Sequence, residues 1–284
     1  MKKGWKIFWI VCGITAAVGL ICCVAAFAMG VTAEALEAKF PYGIGWGSHQ
    51  DEDTEDDLVD NDYVQTATTA SYSGIREIEG ELFAGNVEFI QTEDEEILVE
   101  TEGLSKRLGF WSYADGDTLY LTTNKNLTHM NQLSVGRIRI YIPQNIRFEE
   151  VSVELGAGVL NMDYVSADCF SIDAGAGEVN VNSFDVSEAE FQCGAGSITA
   201  SGNVKNALEI ECGVGEIHMT VDGCKEDYNY DISCGIGEVV CGDSRYSGIG
   251  HDEYIDNHAA REMNLDCGIG QIIVQFKQTK EHQE

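Results

Sequence analysis

Four cysteines stand at the same place in a recurring phrase. The chain reads Cys193-Gly-Ala-Gly, Cys212-Gly-Val-Gly, Cys234-Gly-Ile-Gly and Cys267-Gly-Ile-Gly. Thiols at a fixed repeat position could pair as disulfides, hold a metal ion, or pack as small apolar groups. A closed zinc site commonly draws on C-x-x-C pairs, and the chain has none. Cys169, Cys224 and Cys241 complete seven cysteines beyond the apolar N-terminal run. Seven is odd, so one at least stays unpaired within a single chain. Copies in neighbouring strands would point the same way, about one strand spacing apart. A disulfide wants Cβ atoms roughly 3.5–4.5 Å apart and a twisted dihedral. Buried thiols are therefore the expectation, with column disulfides and zinc as the alternatives.

Carboxylates recur too. Glu154, Asp173, Glu211 and Asp266 each precede the first glycine of a phrase by two residues. Paired acids on a β-solenoid face can cleave glycosidic bonds, but these form a column and not a positioned pair. A third group lies in "GDSRYSGIGHDEYIDNHAARE", which holds His251, Asp252, Glu253, Asp256 and His258. These types bind metal, yet a solvated loop covering the last coil is the expectation. No catalytic residue, cofactor or metal site is assigned. A phosphate-binding glycine loop is rejected, because no G-x-G-x-x-G occurs and no helical pattern follows.

These residues need elements to position them, and the repeat supplies those. The first glycines are Gly156, Gly175, Gly194, Gly213, Gly235 and Gly268, spaced by 19, 19, 19, 22 and 33. A period near twenty is the signature of a solenoid. Five before the glycine stand Val151, Phe170, Ala189, Leu208, Tyr230 and Met263. Three before stand Val153, Ile172, Phe191, Ile210, Ile232 and Leu265, and one before stand Leu155, Ala174 and the four cysteines. Four after stand Leu160, Val179, Ile198, Ile217, Val239 and Ile272. Six after stand Met162, Val181, Ala200, Met219, Cys241 and Val274. The columns between are mostly polar. Alternation with period two means strands with one face in and one out. Each coil thus reads as strand, Gly-x-Gly corner, strand and looser turn. Glycine at the corner is expected to supply φ > 0. Coils stacked in chain order would form parallel sheets with right-handed crossovers. Glu154 and Asp173 then fall one coil apart, as do Glu216 and Glu238, so like charges face each other. Weak, nonspecific binding of divalent cations is expected, since a tight calcium site needs six to eight arranged oxygens.

The 284 residues carry 17 Lys plus Arg against 48 Asp plus Glu, a formal charge of −31. That balance argues against nucleic acid and against an anionic lipid surface. Two prolines beside 31 glycines suit long strand ladders joined by tight turns. Residues Ile7 to Met29 carry no charge, and at ~1.5 Å per residue they make roughly 35 Å of helix, enough to span a bilayer. Lys2, Lys3 and Lys6 precede this run and no base follows before Lys39. The positive-inside rule puts the N-terminus in the cytoplasm and the remainder outside the cell. A cleaved signal peptide is the rival, with "AFA" at Ala26 to Ala28 as its cleavage site, but the run is long for that. Eight acids between Asp51 and Asp62 read as a self-repelling spacer.

Ahead of the phrases, Leu82, Val87 and Phe89 surround Gly85 much as in a repeat, and "DTLYLTTN" and "VGRIRIYIP" read as strands. The run "RIRIYIPQNIRFEEVSVELGAGVLNM" and the glycine phrases after it resemble the "putative adhesin" family of β-strand repeats, domain of unknown function 4097, over roughly residues 70 to 276. The resemblance implies a β-solenoid and a bacterial host, and no established chemistry. In such a host the sequon Asn126-Leu127-Thr128 carries little meaning.

The expected organisation is a cytoplasmic N-terminus at 1–6 and a single-pass transmembrane helix at 7–29. A juxtamembrane segment and acidic spacer (30–70), an all-β, right-handed parallel β-solenoid (71–276) and a polar tail (277–284) follow. The expected function is a non-enzymatic binding, sensing or scaffolding module of a bacterial cell envelope, linked to envelope stress. Its partner would be a cell-wall polymer or an envelope protein. A surface adhesin is the first alternative and a carbohydrate-active solenoid enzyme the second.

Overall fold

Alternation with period two governs the observed chain. A computed structural model describes residues 68–105, 108–124 and 136–277, all within the unit Asp60–Glu284. The apolar run 7–29, most of the spacer, the sequon and residues 278–284 lie outside them. No helix among the described residues is long and apolar enough to cross a membrane.

Those residues form strands and no α-helix. The first are β1 (Thr69–Tyr72), β2 (Glu77–Thr92), β3 (Ile97–Glu102), β4 (Trp111–Asp115), β5 (Thr118–Thr122) and β6 (Arg137–Pro143). The repeats supply β7 (Phe148–Met162), β8 (Val165–Ala174), β9 (Glu178–Cys193), β10 (Ser197–Cys212), β11 (Glu216–Asp222), β12 (Tyr228–Cys234) and β13 (Glu238–Cys241). The last are β14 (Ser244–Ser247), β15 (His251–Ile255), β16 (Arg261–Cys267) and β17 (Gln271–Lys277).

Two parallel ladders run side by side along the stack. The halves of the coils before the corner pair in the order β5, β2, β7, β8, β9, β10, β16, β12. The halves after it pair in the order β6, β2, β7, β9, β10, β11, β17, β13. Every side chain of the five apolar columns is buried, so the inward face assigned from the sequence is the inward face observed. The sheet is mixed, however, and not purely parallel. β4 closes antiparallel on β5 and β3 on β6 at one end; β14 closes on β13 and β15 on β12 at the other. Short antiparallel covers of this kind protect the long parallel strands from edge pairing.

Coil order departs from chain order. Cys267 pairs with Cys212 on one side and with Cys234 on the other. Gln271 likewise sits between Glu216 and Glu238. The last coil therefore fills a rung that the chain skipped. Residues 223–227 climb two rungs, about 10 Å, through a short 3-10 turn at Lys225–Asp227. The chain then runs back over the outermost coil as β14 and β15 before entering the gap.

The corner glycines also serve a different purpose from the one expected. Among the glycines of the six aligned phrases only Gly158 has a positive φ, +115°. The others are needed because the coils approach too closely for a Cβ. At Gly196 it would lie 2.0 Å from Gly177 O, and at Gly215, Gly270 and Gly237 2.2 Å from the carbonyl of the preceding rung. At those last three it would also meet the Sγ of Cys193, Cys212 and Cys267 at 2.6–2.7 Å. The small thiol and the glycine above it are one packing unit.

The crossover into the filled rung hangs on one buried side chain. Asn229 Nδ2 donates to Ala259 O at 2.9 Å and Glu262 Oε1 at 3.0 Å. Its Oδ1 accepts from the N–H groups of Asn257 at 3.0 Å and Ala259 at 3.1 Å. Asn229→Leu strands these partners and should cost about 2 kcal/mol. Hydrogen exchange should speed up at Asn257 and Ala259 first; unchanged protection there would remove Asn229 from this role.

Candidate functional site

The thiol column is closed to solvent. Cys193, Cys212, Cys267 and Cys234 are buried and unpaired as disulfides, and Cys267 Sγ donates to Gly270 O at 3.0 Å. Cys193 and Cys267 flank Cys212 and push its thiol up, while hydrogen bonding to Cys212 draws those two down. Burial opposes ionisation of all three. Cys241 is pushed up to about 11 by burial. Cys169 is the exposed one. Burial, then Glu188, Glu150 and Asp168, raise its thiol.

The acids do form columns on the outer face. Glu154 faces Asp173, and Glu211 faces Asp266 of the inserted coil. The Glu216 and Glu238 pairing expected from the sequence is not made, because Gln271 stands between them and its Nε2 donates to Glu238 Oε2 at 2.7 Å. Four of the outer carboxyls are pushed up, with burial the largest cause in each. Glu190 adds to Asp173 and Glu209, Asp266 to Glu211, and Asp252 and Asp231 to Asp266. Gln192 stands between Asp173 and Glu211, and Ser233 follows Asp266, so the like charges gather in adjoining pairs.

Their pH signature has a definite sign. A carboxyl raised in the folded state holds its proton more tightly there, so stability grows as pH falls through the raised value. Asp227 is depressed, chiefly by the Cys224 N–H, and Asp185 is depressed by Asn203, Lys205 and Arg147 against its burial. Their contribution is lost at lower pH still. At low ionic strength the melting temperature should rise as pH drops from 7 into the upper carboxylate range, then fall. Salt or millimolar calcium should flatten the rise by screening. A steady decline from pH 7 would contradict this.

In the insertion, His251 pairs with Glu253 at 3.2 Å and His258 with Asp256 at 3.2 Å. Asp252 instead accepts from Ser233 Oγ at 3.1 Å. The five residues are divided between separate contacts, and no group of three or more metal-binding side chains converges among the described residues. The expected solvated loop is a pair of strands, and the coil it covers is that of Gly235.

Sequence reasoning passed over the middle residue of each corner. In stack order these residues are Ala157, Ala176, Ala195, Val214, Ile269 and Ile236. Val214 is 62% exposed, Ile269 62% and Ile236 69%. A seventh phrase, Gly248-Ile249-Gly250, crosses the same corner in reverse, since Ser247 faces Glu238 and His251 faces Cys234. Ile249 is 93% exposed. Beside this ridge runs a shallow groove lined by Gly215, Glu216, Gly237, Glu238, Gly270 and Gln271. The signal was present in the sequence as the change from Ala to Val and Ile along the phrases.

Residues 75–278 match the family described as Toastrack DUF4097. No curated protein matches the chain. Several solved structures are similar at low identity. The "putative cell adhesion protein" of Clostridium sporogenes is 14% identical, covers 75% of this chain and 99% of its own, and gives a TM-score of 0.43. A "putative adhesin" of Parabacteroides distasonis is 13% identical, with 75% and 98% covered and a TM-score of 0.39. One of Bacteroides fragilis is 12% identical, with 74% and 97% covered and a TM-score of 0.35.

Proposed function

We propose, for a chain that belongs to the Toastrack DUF4097 family, a non-enzymatic binding, sensing or scaffolding role at the bacterial cell envelope. The observation that carries this reading is the corner, where large aliphatic side chains stand in water on a stack of ladders. Regular faces of this kind suit extended partners such as a cell-wall polymer or an envelope protein. In this reading the coils wind right-handed, as parallel crossovers do. The run Ile7–Met29 anchors the chain in the cell membrane, the N-terminus stays in the cytoplasm, and the repeat domain reports envelope stress from outside.

The test is a knockout complemented with single substitutions, Glu154→Gln, Asp173→Asn, Glu211→Gln and Asp266→Asn, under envelope stress. Each should complement fully or nearly so. Deleting the repeat domain, or releasing it from its anchor, should abolish complementation, because attachment keeps the domain at high local concentration. One acid whose loss abolishes function, with fold and surface level intact, would replace this reading with a catalytic one.

A further inference from the structure

Val214, Ile269, Ile236 and Ile249 occupy successive rungs of one corner. The Ile269 N–H donates to Gly213 O at 2.7 Å, Ile236 N–H to Gly268 O at 2.8 Å, and Gly250 N–H to Gly235 O at 2.8 Å. These bonds set the order and hold each rung to the next. At about 4.8 Å per rung the ridge is roughly 14 Å long. The core does not need it, because every inward column is already filled. Three alanines occupy the earlier corners, so the ridge is confined to one end of the stack. It also depends on the skipped rung: without the last coil, Val214 and Ile236 would be separated by a gap.

Acids line both sides. Glu211, Asp266 and Asp252 stand two positions before the corner or opposite it, and no salt bridge engages Glu211 or Asp266 among the described residues. On the other side lie Glu216, paired with His218, and Glu238, paired with Arg245 at 2.8 Å. An apolar ridge with Glu211, Asp266 and Asp252 on one side and two separate glutamates on the other is complementary to an apolar stripe flanked by cations, most strongly on one side.

We propose that this ridge docks a cationic amphipathic helix of a partner polypeptide. The proposal rests on the binding-module reading and names the chemistry of its partner. A ridge of roughly 14 Å accommodates about ten residues of helix. Apolar residues at i, i+3, i+4 and i+7 lie 5–6 Å apart, close enough to the rung spacing for the two rows to interleave. Lys and Arg on one flank of that stripe would meet Glu211, Asp266 and Asp252, and on the other Glu216 and Glu238, which gives orientation and a fast encounter. A second copy of this chain fits poorly, because it would bring two acidic surfaces together. An anionic bilayer is repelled for the same reason.

The full-length chain would be titrated with a fluorescent Leu/Lys peptide whose leucines follow helical spacing. A scrambled peptide of equal composition is the control. The helical peptide should bind at least tenfold more tightly than the scrambled one. The triple variant Ile236→Ser, Ile249→Ser, Ile269→Ser should lose at least tenfold in affinity while keeping its circular dichroism and melting temperature. Glu211→Gln with Asp266→Asn should weaken binding and reduce its salt dependence. Equal binding by wild type and a folded triple variant, or by both peptides, overturns the proposal. So does a concentration-dependent dimer that the triple variant abolishes, or binding to phosphatidylcholine vesicles that the triple variant, with the same N-terminal run, abolishes. The two readings fail separately. A triple variant that still complements under stress would sink the ridge alone, whereas complementation by a chain released from its anchor would sink the anchored module.

Discussion

Gly196→Ala should cost about 3 kcal/mol or more, near the upper end for overpacking. The added Cβ would sit 2.0 Å from Gly177 O, the acceptor of the Ser197 N–H at 3.0 Å. Relief requires the two rungs to part, which breaks that bond. It also strains the neighbouring one from Glu216 N–H to Gly196 O at 3.1 Å. For a domain of this size the melting temperature should fall by roughly 6–12 °C. Gly74→Ala is the control. Nothing lies within 4 Å of its Cβ position, so it should cost only the strain of its φ of +72°, about 1–2 kcal/mol. If the two variants melted together, close approach of the coils would not be the reason for the repeat glycines.

Cys212→Asp should prevent accumulation of folded protein. Cys212 is 2% exposed, between Cys193 and Cys267 and beneath Gly270. A carboxylate there has no cationic partner, and an uncompensated buried charge costs about 3–5 kcal/mol. Cys212→Ala only leaves a small gap and should cost about 1 kcal/mol. In native protein Cys212 and Cys234 should resist a thiol reagent until denaturation. Cys169 should react in the native state, faster as pH rises and as salt screens the acids around it. A folded, stable Cys212→Asp variant would mean that the column opens to water.

The columns were legible because inward and outward residues alternate strictly and the glycine phrases set their phase. Val153, Ile172 and Phe191 differ in size but share one buried position. Coil order was not legible. Cys234 and Cys267 present the same small side chain before the same Gly-Ile-Gly, so either could stack on Cys212 as far as local chemistry is concerned. The choice is made by connections: the 3-10 turn that climbs two rungs, and the crossover fastened by Asn229. The glycine phrases pointed correctly to corners, but single-residue reasoning about φ missed a constraint between coils. The ridge was written as Val214, Ile236, Ile249 and Ile269, yet Ile249 belongs to a segment running backward, which a forward repeat alignment does not align.

The skipped rung also bears on biogenesis. On the ribosome the rungs from β7 to β11 can zip together as they emerge, each templated by the one before. The coil of Gly235 cannot join that series, because its neighbour on the stack, β16, is made later. Until residues 261–277 leave the exit tunnel, β10 and β11 present bare parallel edges and the Gly235 coil has no seat. The far end of the domain therefore closes in one late step, and the last strands act as a keystone. A repeat array that grows by appending coils at its end could not lengthen here without undoing that closure, so this topology fixes the number of rungs.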